Sequence, residues 1–265
     1  YISSMLDAIS LPYAPYAALG THDASGQWQQ LNTNLLQIEN EFYSPIRPKR
    51  VANSGEKPVH ALRERGVEYI EVRCLDIDPF VPLGIEPATA RFLDSFLLYC
   101  AISDSPQLSD SECEHAANNF SLAVKRGREP GLMLNENGRE RSLTEWGEAL
   151  LDEIAGCAAL FDQAQGGSVF AEALAIQRAK LKDSSLTPSA RVLAAIAEQG
   201  DSFFRFALAQ SQEHDAYFRN RPLDAEAQAR LAAEAAASLA DQAAIEAADD
   251  VDFDTFVDRY LSQQA

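Results

Sequence analysis

The sequence changes character near Gly84, and this change limits the folds that the chain can adopt. Before Gly84 lie short apolar runs separated by turn residues, a pattern that is typical of strands and loops. From Thr89 onward, apolar residues recur at helical spacing almost to the end of the chain. The pattern predicts an α+β protein in which a strand-containing N-terminal third is followed by a mainly helical region. We place the boundary between two domains, 1–87 and 88–265, at this change.

Capping signals indicate where several helices begin. Ser109 and Ser142 are each followed three residues later by a glutamate, the spacing of a capping box, and Pro188 fits the first position of a helix. The alanine-rich run 224–249 predicts one long helix because alanine has the highest helix propensity. Helices are predicted at Tyr1–Ser10, Pro58–Arg65, Ala90–Ile102, 109–125, 142–163, 168–183, 189–199, 202–218, 224–249 and Phe253–Leu261.

Two segments before Gly84 alternate apolar and polar residues as strands do. In Leu35–Tyr43, one face carries Gln37, Glu39, Glu41 and Tyr43. In Val67–Ile77, Glu71 and Arg73 lie two residues apart, so their side chains leave the same face about 7 Å from each other. Cys74 is expected to lie on the opposite, apolar face as an interior residue, and Ser44–Lys57 is interpreted as a basic loop.

Charge and composition exclude several classes of function. The formal net charge is −18, which argues against sequence-independent binding to nucleic acid or to an anionic membrane surface. No apolar stretch approaches the roughly 20 residues of a membrane span, and no signal peptide is recognisable at the N-terminus. The four cysteines form neither a CxxC pair nor a disulfide framework. Reduced thiols in a cytoplasmic protein are therefore the favoured interpretation.

The residues that remain for chemistry are those on the polar strand faces. The sequence contains neither a phosphate-binding P-loop, nor a dinucleotide fingerprint, nor a zinc-protease or nucleophile-elbow motif. Carboxylates beside a guanidinium suit Mg²⁺ and a phosphorylated ligand, because Mg²⁺ takes oxygen ligands and arginine clamps phosphate oxygens. A solvated face with Glu–Arg pairs would carry the same residues. Likewise, the basic run from Arg47 to Arg50 fits either a phosphate contact or a loop anchored to acidic surface.

Two long motifs carry a family resemblance. The stretches LLQIENEFYSPIRPKR (35–50) and VEYIEVRCLDIDPF (67–80) resemble the signature of proteobacterial-type glutamate–cysteine ligases. Weaker similarities follow in the same order at 91–94, 127–132, 166–167 and 186–191, so the resemblance extends over nearly the whole chain. The chain resembles the C-terminal half of the proteins of that family, which are about twice as long as this chain.

The resemblance implies an ATP- and Mg²⁺-dependent ligase of glutathione synthesis that joins the γ-carboxyl of glutamate to the amine of cysteine through an acyl phosphate. It implies part of an antiparallel, glutamine-synthetase-like sheet in the region 1–87. Glu71 matches a magnesium ligand, Arg73 a catalytic and substrate-binding arginine, and Tyr43 a residue of the cysteine pocket. The remaining members of the motif are expected only to line the site or approach phosphate: Glu39, Glu41, Arg47 and Arg50.

The length difference leads to two competing hypotheses. Under the first hypothesis, the chain is the C-terminal portion of such a ligase and binds glutamate, cysteine and ATP. It is then inactive without its N-terminal half, because that half carries most of the metal-binding carboxylates. The second is a non-catalytic acidic helical module, derived from such an enzyme, that serves interaction or regulation. Neither hypothesis includes a nucleic-acid or membrane partner.

Overall fold

A computed structural model describes residues 1–73 and 75–263. They form two compact units, the first containing Tyr1–Asp76 and the chain from Leu223 onward, the second containing Ile77–Pro222. The α-helices are α1 Ile2–Ser10, α2 Ala14–Leu19, α3 Pro58–Arg65, α4 Pro87–Ile102, α5 Asp110–Arg126, α6 Leu143–Gln165, α7 Val169–Lys182, α8 Pro188–Glu198, α9 Phe203–Arg219, α10 Ala225–Ala247 and α11 Phe253–Leu261. The strands are β1 Ile46–Lys49, β2 Tyr69–Val72, β3 Met133–Glu136 and β4 Arg139–Ser142.

The first unit is organised around an antiparallel pair of strands. β1 pairs with β2, and α3 forms the connection between them and contacts both β1 and α1. Val59, Ala61 and Leu62 on α3 are buried together with Met5 of α1. The helix therefore anchors the strand pair to the apolar interior of its own unit, which fixes the position of the side chains that the strands carry.

The second unit is built on three helices, α4, α6 and α7, that contact one another. Its core contains Leu151, Ile154 and Ala158 of α6 and Phe170 and Leu174 of α7. These positions follow the three- and four-residue spacing of one helical face, so burial of that face drives the association. Among the described residues, no helix is both long and apolar enough to cross a membrane.

The α+β prediction is confirmed, and most helices lie within two residues of their predicted ends. The local signals explain this agreement. Ser109 accepts a hydrogen bond from the Glu112 N–H while the Glu112 carboxylate accepts one from Ser109, a complete capping box. The Ser142 hydroxyl likewise accepts from the Glu145 N–H at 3.1 Å. The domain boundary at residue 87 stays a prediction, since compact units do not establish independent folding.

The predicted strand over Leu35–Tyr43 is wrong. The segment contains a 3₁₀ turn at Glu39–Glu41 and otherwise bends. No neighbouring strand pairs with it among the described residues, and side chains satisfy part of its backbone. The Glu41 carboxylate accepts from the Gln37 N–H, and Asn32 donates its amide to the Gln37 carbonyl. Polar side chains that bond the nearby backbone compete with a β-ladder, so alternation alone was misleading here.

Strand β1 lies inside the segment interpreted as a basic loop, which is therefore also corrected. Strand β2 is shorter than the predicted Val67–Ile77, and Cys74 lies outside the described residues. The hairpin β3–β4 was not predicted, although Asn137-Gly138 at its turn is a strong hairpin signal. Both turn residues have positive φ angles, 51° and 86°, as a type I′ turn requires.

Truncation of Ile154 to alanine tests the three-helix core. Ile154 is completely buried, so Ile154→Ala should lower the free energy of unfolding by about 2–5 kcal/mol through lost burial and the remaining cavity. Leu160→Ala, on the same helix but more than half exposed, should change it by less than about 0.5 kcal/mol. Chemical denaturation followed by circular dichroism measures both. Equal effects would show that α6 does not bury the face described above.

Candidate functional site

The polar side chains of β1 and β2 lie on one face of the strand pair. Arg47 lies directly opposite Glu71, and Lys49 lies opposite Tyr69. Because directly opposed residues of an antiparallel pair point to the same side, these four side chains share a face. Arg73 continues it, since its N–H donates to the Pro45 carbonyl at 2.8 Å just beyond the last strand pair.

Glu71 is surrounded by three cationic side chains. Its Oε1 lies 3.0 Å from Nε of Arg73, and its Oε2 lies 3.6 Å from Nζ of Lys49 and 3.9 Å from Nη1 of Arg47. We call Arg47, Lys49, Glu71 and Arg73 the hairpin charge cluster. Three positive charges against one negative charge leave the cluster with an excess of two positive charges, in a chain whose net charge is −18.

The cations determine the protonation of Glu71. Burial alone would raise the pKa of its carboxyl, but the ion pair with Arg73 and the charges of Lys49 and Arg47 outweigh this effect and lower it. The same ion pair raises the pKa of the Arg73 guanidinium. Both shifts favour the ionised forms of Glu71 and Arg73, so the ion pair between them is maintained near neutral pH.

Two polar atoms of the cluster are left without hydrogen bonds among the described residues. They are Oε2 of Glu71 and Nε of Arg47, and both are buried. The Arg47 side chain as a whole is only 8% exposed. An unpaired buried polar atom is unfavourable, and a water molecule, an ion or a ligand would supply the missing partner.

Tyr43 extends the cluster through an aromatic contact. The guanidinium carbon of Arg73 lies 4.9 Å from the centroid of the Tyr43 ring, within the range of a cation–π interaction. Tyr43 is 77% exposed, although it does not lie on a strand. The predicted grouping of Tyr43 with Glu71 and Arg73 is thus present in the structure, while the strand geometry expected to produce it is not.

Glu39 has a structural partner of its own. Its side chain is buried, and Oε2 accepts a hydrogen bond of 2.7 Å from the N–H of Val59 in the first turn of α3. Such an acceptor satisfies one of the unpaired donors that every helix N-terminus carries. Burial raises the pKa of Glu39, and the Val59 hydrogen bond and the charges of Lys57 and Arg47 oppose that rise.

Glu41 and Arg50 do not join the hairpin charge cluster. The Glu41 carboxylate is occupied by the Gln37 N–H, within its own loop. Nε of Arg50 lies 3.7 Å from Oε2 of Glu68, a residue outside the cluster. In contrast, Lys49 was predicted only as a member of the basic run from Arg47 to Arg50, although its spacing of two residues from Arg47 would place both on one strand face.

A magnesium ion does not fit the donor set that these residues provide. Mg²⁺ requires several oxygen ligands in octahedral geometry, whereas the cluster offers one carboxylate encircled by three cations. In residues 1–73 and 75–263, no group of three acidic, histidine or cysteine side chains could hold a metal ion. A magnesium site at Glu71 would therefore need further oxygen ligands beyond those of the described residues.

Comparison with known proteins identifies the family. Residues 1–123, which include the whole candidate site, match the model of the glutamate-cysteine ligase family. Glutamate–cysteine ligases of Pseudomonas aeruginosa strain LESB58 and P. fluorescens strain Pf0-1 are 56% and 54% identical to the chain over 98% of its length. The chain belongs to the glutamate–cysteine ligase family. It spans about half the length of these curated relatives, 49% in both cases.

A solved structure of the family has the same fold. The glutamate–cysteine ligase of Francisella tularensis, crystallised in complex with AMP, matches with a TM-score of 0.89 and 35% identity. The match covers 98% of this chain and 51% of that protein. Relatedness to the ligase family thus extends through both compact units, beyond the residues matched by the family model.

Substitution of Glu39 tests the structural role assigned to it. Because its pKa is raised, folding favours the protonated carboxyl, so ionisation above the ordinary value of 4.5 weakens the folded state. Glu39→Gln, which keeps an acceptor for the Val59 N–H, should therefore raise the melting temperature at pH 8, and this gain should vanish near pH 4. Glu39→Ala should lower stability by about 1–3 kcal/mol by leaving a buried donor unpaired.

Thermal melts at the two pH values measure both variants. A lower melting temperature of Glu39→Gln at pH 8 would show that attraction to Lys57 and Arg47 exceeds the effect of burial, contrary to the raised pKa.

Proposed function

We propose that the chain provides the cationic part of the active site of an ATP-dependent glutamate–cysteine ligase. The observation that carries this proposal is the excess positive charge of the hairpin charge cluster inside a strongly acidic chain. Family membership and the AMP bound by the Francisella relative support a nucleotide as one ligand. Guanidinium and ammonium groups are the usual protein partners of phosphate and carboxylate oxygens.

In the proposed reaction, a γ-carboxylate oxygen of glutamate attacks the terminal phosphorus of ATP, and ADP leaves. The amine of cysteine then attacks the acyl phosphate, phosphate leaves with the bonding electrons, and the amine loses a proton. Both steps gather negative charge on phosphoryl oxygens, and fixed cations stabilise that charge most effectively when they are positioned in advance. Glu71 positions Arg73 in this way through their ion pair.

Arg73 and Tyr43 are assigned the substrate contacts. Arg73 neutralises the transferring phosphoryl group or the reacting carboxylate, and Arg47 and Lys49 add charge from the adjacent strand. The exposed ring of Tyr43, oriented beside Arg73, forms part of the cysteine-binding surface. Glu71 as a magnesium ligand stays a prediction, and it requires additional oxygen ligands from outside this chain.

We further propose that the working site is shared with the part of the ligase that this chain does not match. The apolar face of the β1–β2 pair supports sharing, because Ile46, Ile70 and Val72 are 50%, 45% and 39% exposed. In the part of the chain that the structure describes, β1 and β2 pair only with each other, so the outer edges of both strands are open. Exposed edges and apolar faces of this kind are ordinarily covered in a folded protein.

A non-catalytic interaction module is the alternative, and helix α10 favours it. None of its residues is buried within the described structure, although the helix runs from Ala225 to Ala247. A long helix with no buried residue is suited to binding another protein. The interaction-module hypothesis requires no catalytic activity from the hairpin charge cluster, whereas the ligase hypothesis does.

Mixing the two parts of the enzyme tests the shared site. We expect no glutamate- and cysteine-dependent ADP release from this chain alone. ADP release should appear when it is combined with the part of the P. aeruginosa ligase that does not match this chain. Activity from this chain alone would show that it contains a complete site. A stable complex without activity would favour the interaction module.

The role of Arg73 is tested in the same active mixture. Arg73→Lys keeps the charge but loses the planar fork that contacts two oxygens at once, so kcat/KM should fall by about 100-fold or more. Arg139→Lys is a matched control on an exposed strand of the second unit, and it should change kcat/KM by less than about twofold. An unchanged kcat/KM in Arg73→Lys would remove Arg73 from the proposed mechanism.

A further inference from the structure

The second compact unit contains a cavity of about 600 Å³ that the ligase proposal does not use. It lies where the turn 127–131 and the start of α6 meet the end of α7. This volume is typical of sites that bind small organic molecules, which commonly measure about 300–1,000 Å³. The cavity is therefore large enough for a ligand with one or two rings or a short alkyl chain.

The floor of the cavity is apolar and part of the helix core. Its deepest residues include Leu151 and Ile154, both buried, and Phe92, Leu150 and Leu181 pack beside them. Apolar surface lining a concave site favours the burial of an apolar ligand body, since that removes both surfaces from water.

Hydrogen bonds within the turn and to α6 hold the wall that the turn forms. Arg126 binds Glu129 through two contacts of 2.7 Å, and the Glu129 N–H donates to the Arg126 carbonyl. Gly131 has a φ of 73°, a conformation that glycine adopts without strain. The Leu143 N–H donates to the Leu132 carbonyl, which joins the turn to the start of α6. A preorganised wall reduces the ordering that a ligand would have to induce.

The rim of the cavity carries three positively charged side chains. Arg128, Lys180 and Lys182 all line it, and none of them forms an ion pair with another described residue. The one carboxylate of the lining, Glu129, is already paired with Arg126. Three cations around an apolar cavity stand out in a chain with a net charge of −18.

Among the cations of the rim, Lys180 is the best candidate for contacting a ligand. It is half-buried, and its Nζ donates to Oε1 of Gln177 at 3.2 Å on the cavity wall. Burial lowers the pKa of its ammonium, although the charges of Glu86 and Asp78 oppose this shift. A bound anion would add to that favourable attraction.

We propose that this cavity binds an amphipathic organic anion. The apolar body of the ligand occupies the floor, and its carboxylate, sulfonate or phosphate group contacts Lys180 and Lys182 at the rim. The ligand class is defined by an apolar body that carries one anionic group, so an aromatic acid and a short-chain fatty acid are both candidates. The cavity shares no residue with the hairpin charge cluster, because all its lining residues belong to the second unit.

Two dyes that differ only by an anionic group test the proposal on the full chain. The probes are 1-anilinonaphthalene-8-sulfonate and its uncharged counterpart N-phenyl-1-naphthylamine, which both fluoresce on entering apolar sites. We expect the sulfonate to bind at least about tenfold more tightly, the effect of one charge-assisted contact. The double variant Lys180→Gln/Lys182→Gln should remove this difference. Lys125→Gln, an exposed lysine that does not line the cavity, should preserve it.

A space-filling variant locates the site independently of charge. Gln177→Trp places an indole at the half-exposed wall of the cavity and should weaken binding of both dyes by about tenfold or more. Equal affinity of the two dyes, or affinity unchanged in the lysine double variant, would overturn the proposal. So would release of the sulfonate dye by the unmatched part of the P. aeruginosa ligase, because the cavity would then be a protein interface.

Discussion

The ion pair between Glu71 and Arg73 is the interaction on which the candidate site depends. An isolated guanidinium on a strand would sample many conformations, whereas a carboxylate two residues earlier holds it over the Tyr43 ring. The same carboxylate lies near Arg47 and Lys49 of the neighbouring strand. One negative charge thus allows three positive charges to lie close together without severe repulsion.

The register of the strand pair makes this arrangement possible, and α3 maintains the register. Arg47 must lie opposite Glu71, and a slip of one residue would move Arg47 to the other face. The connection through α3 is tied to the preceding loop by the Glu39 hydrogen bond to Val59. Glu39 therefore supports the hairpin and does not belong to its charged face. Its role differs in this respect from that of Arg47, which lies in the same sequence motif, 35–50.

The sequence allowed reliable prediction where structure is determined by neighbouring residues. Serine caps and proline at the first helical position act over one turn, so the helix starts near Ser109, Ser142 and Pro188 could be predicted. Alternation failed at Leu35–Tyr43 because that backbone bonds the nearby Asn32 side chain and, through the N–H groups of Leu35 and Leu36, carbonyls about 25 residues earlier, none of them in a predicted strand. The grouping of Glu71, Arg73 and Tyr43 was predicted, whereas the contribution of Lys49 depends on a strand pairing that no local pattern specifies.

The two faces of the β1–β2 pair invert the usual distribution of polarity. The charged face contains a nearly buried arginine, while Ile46, Ile70 and Val72 on the other face remain substantially exposed. Burying charge is unfavourable unless partners compensate it, and leaving aliphatic side chains in water forgoes the main driving force of folding. An anion on one face and an apolar surface on the other would remove both penalties at once. The hairpin therefore carries an unfavourable contribution on each face, and the shared site proposed above would relieve both.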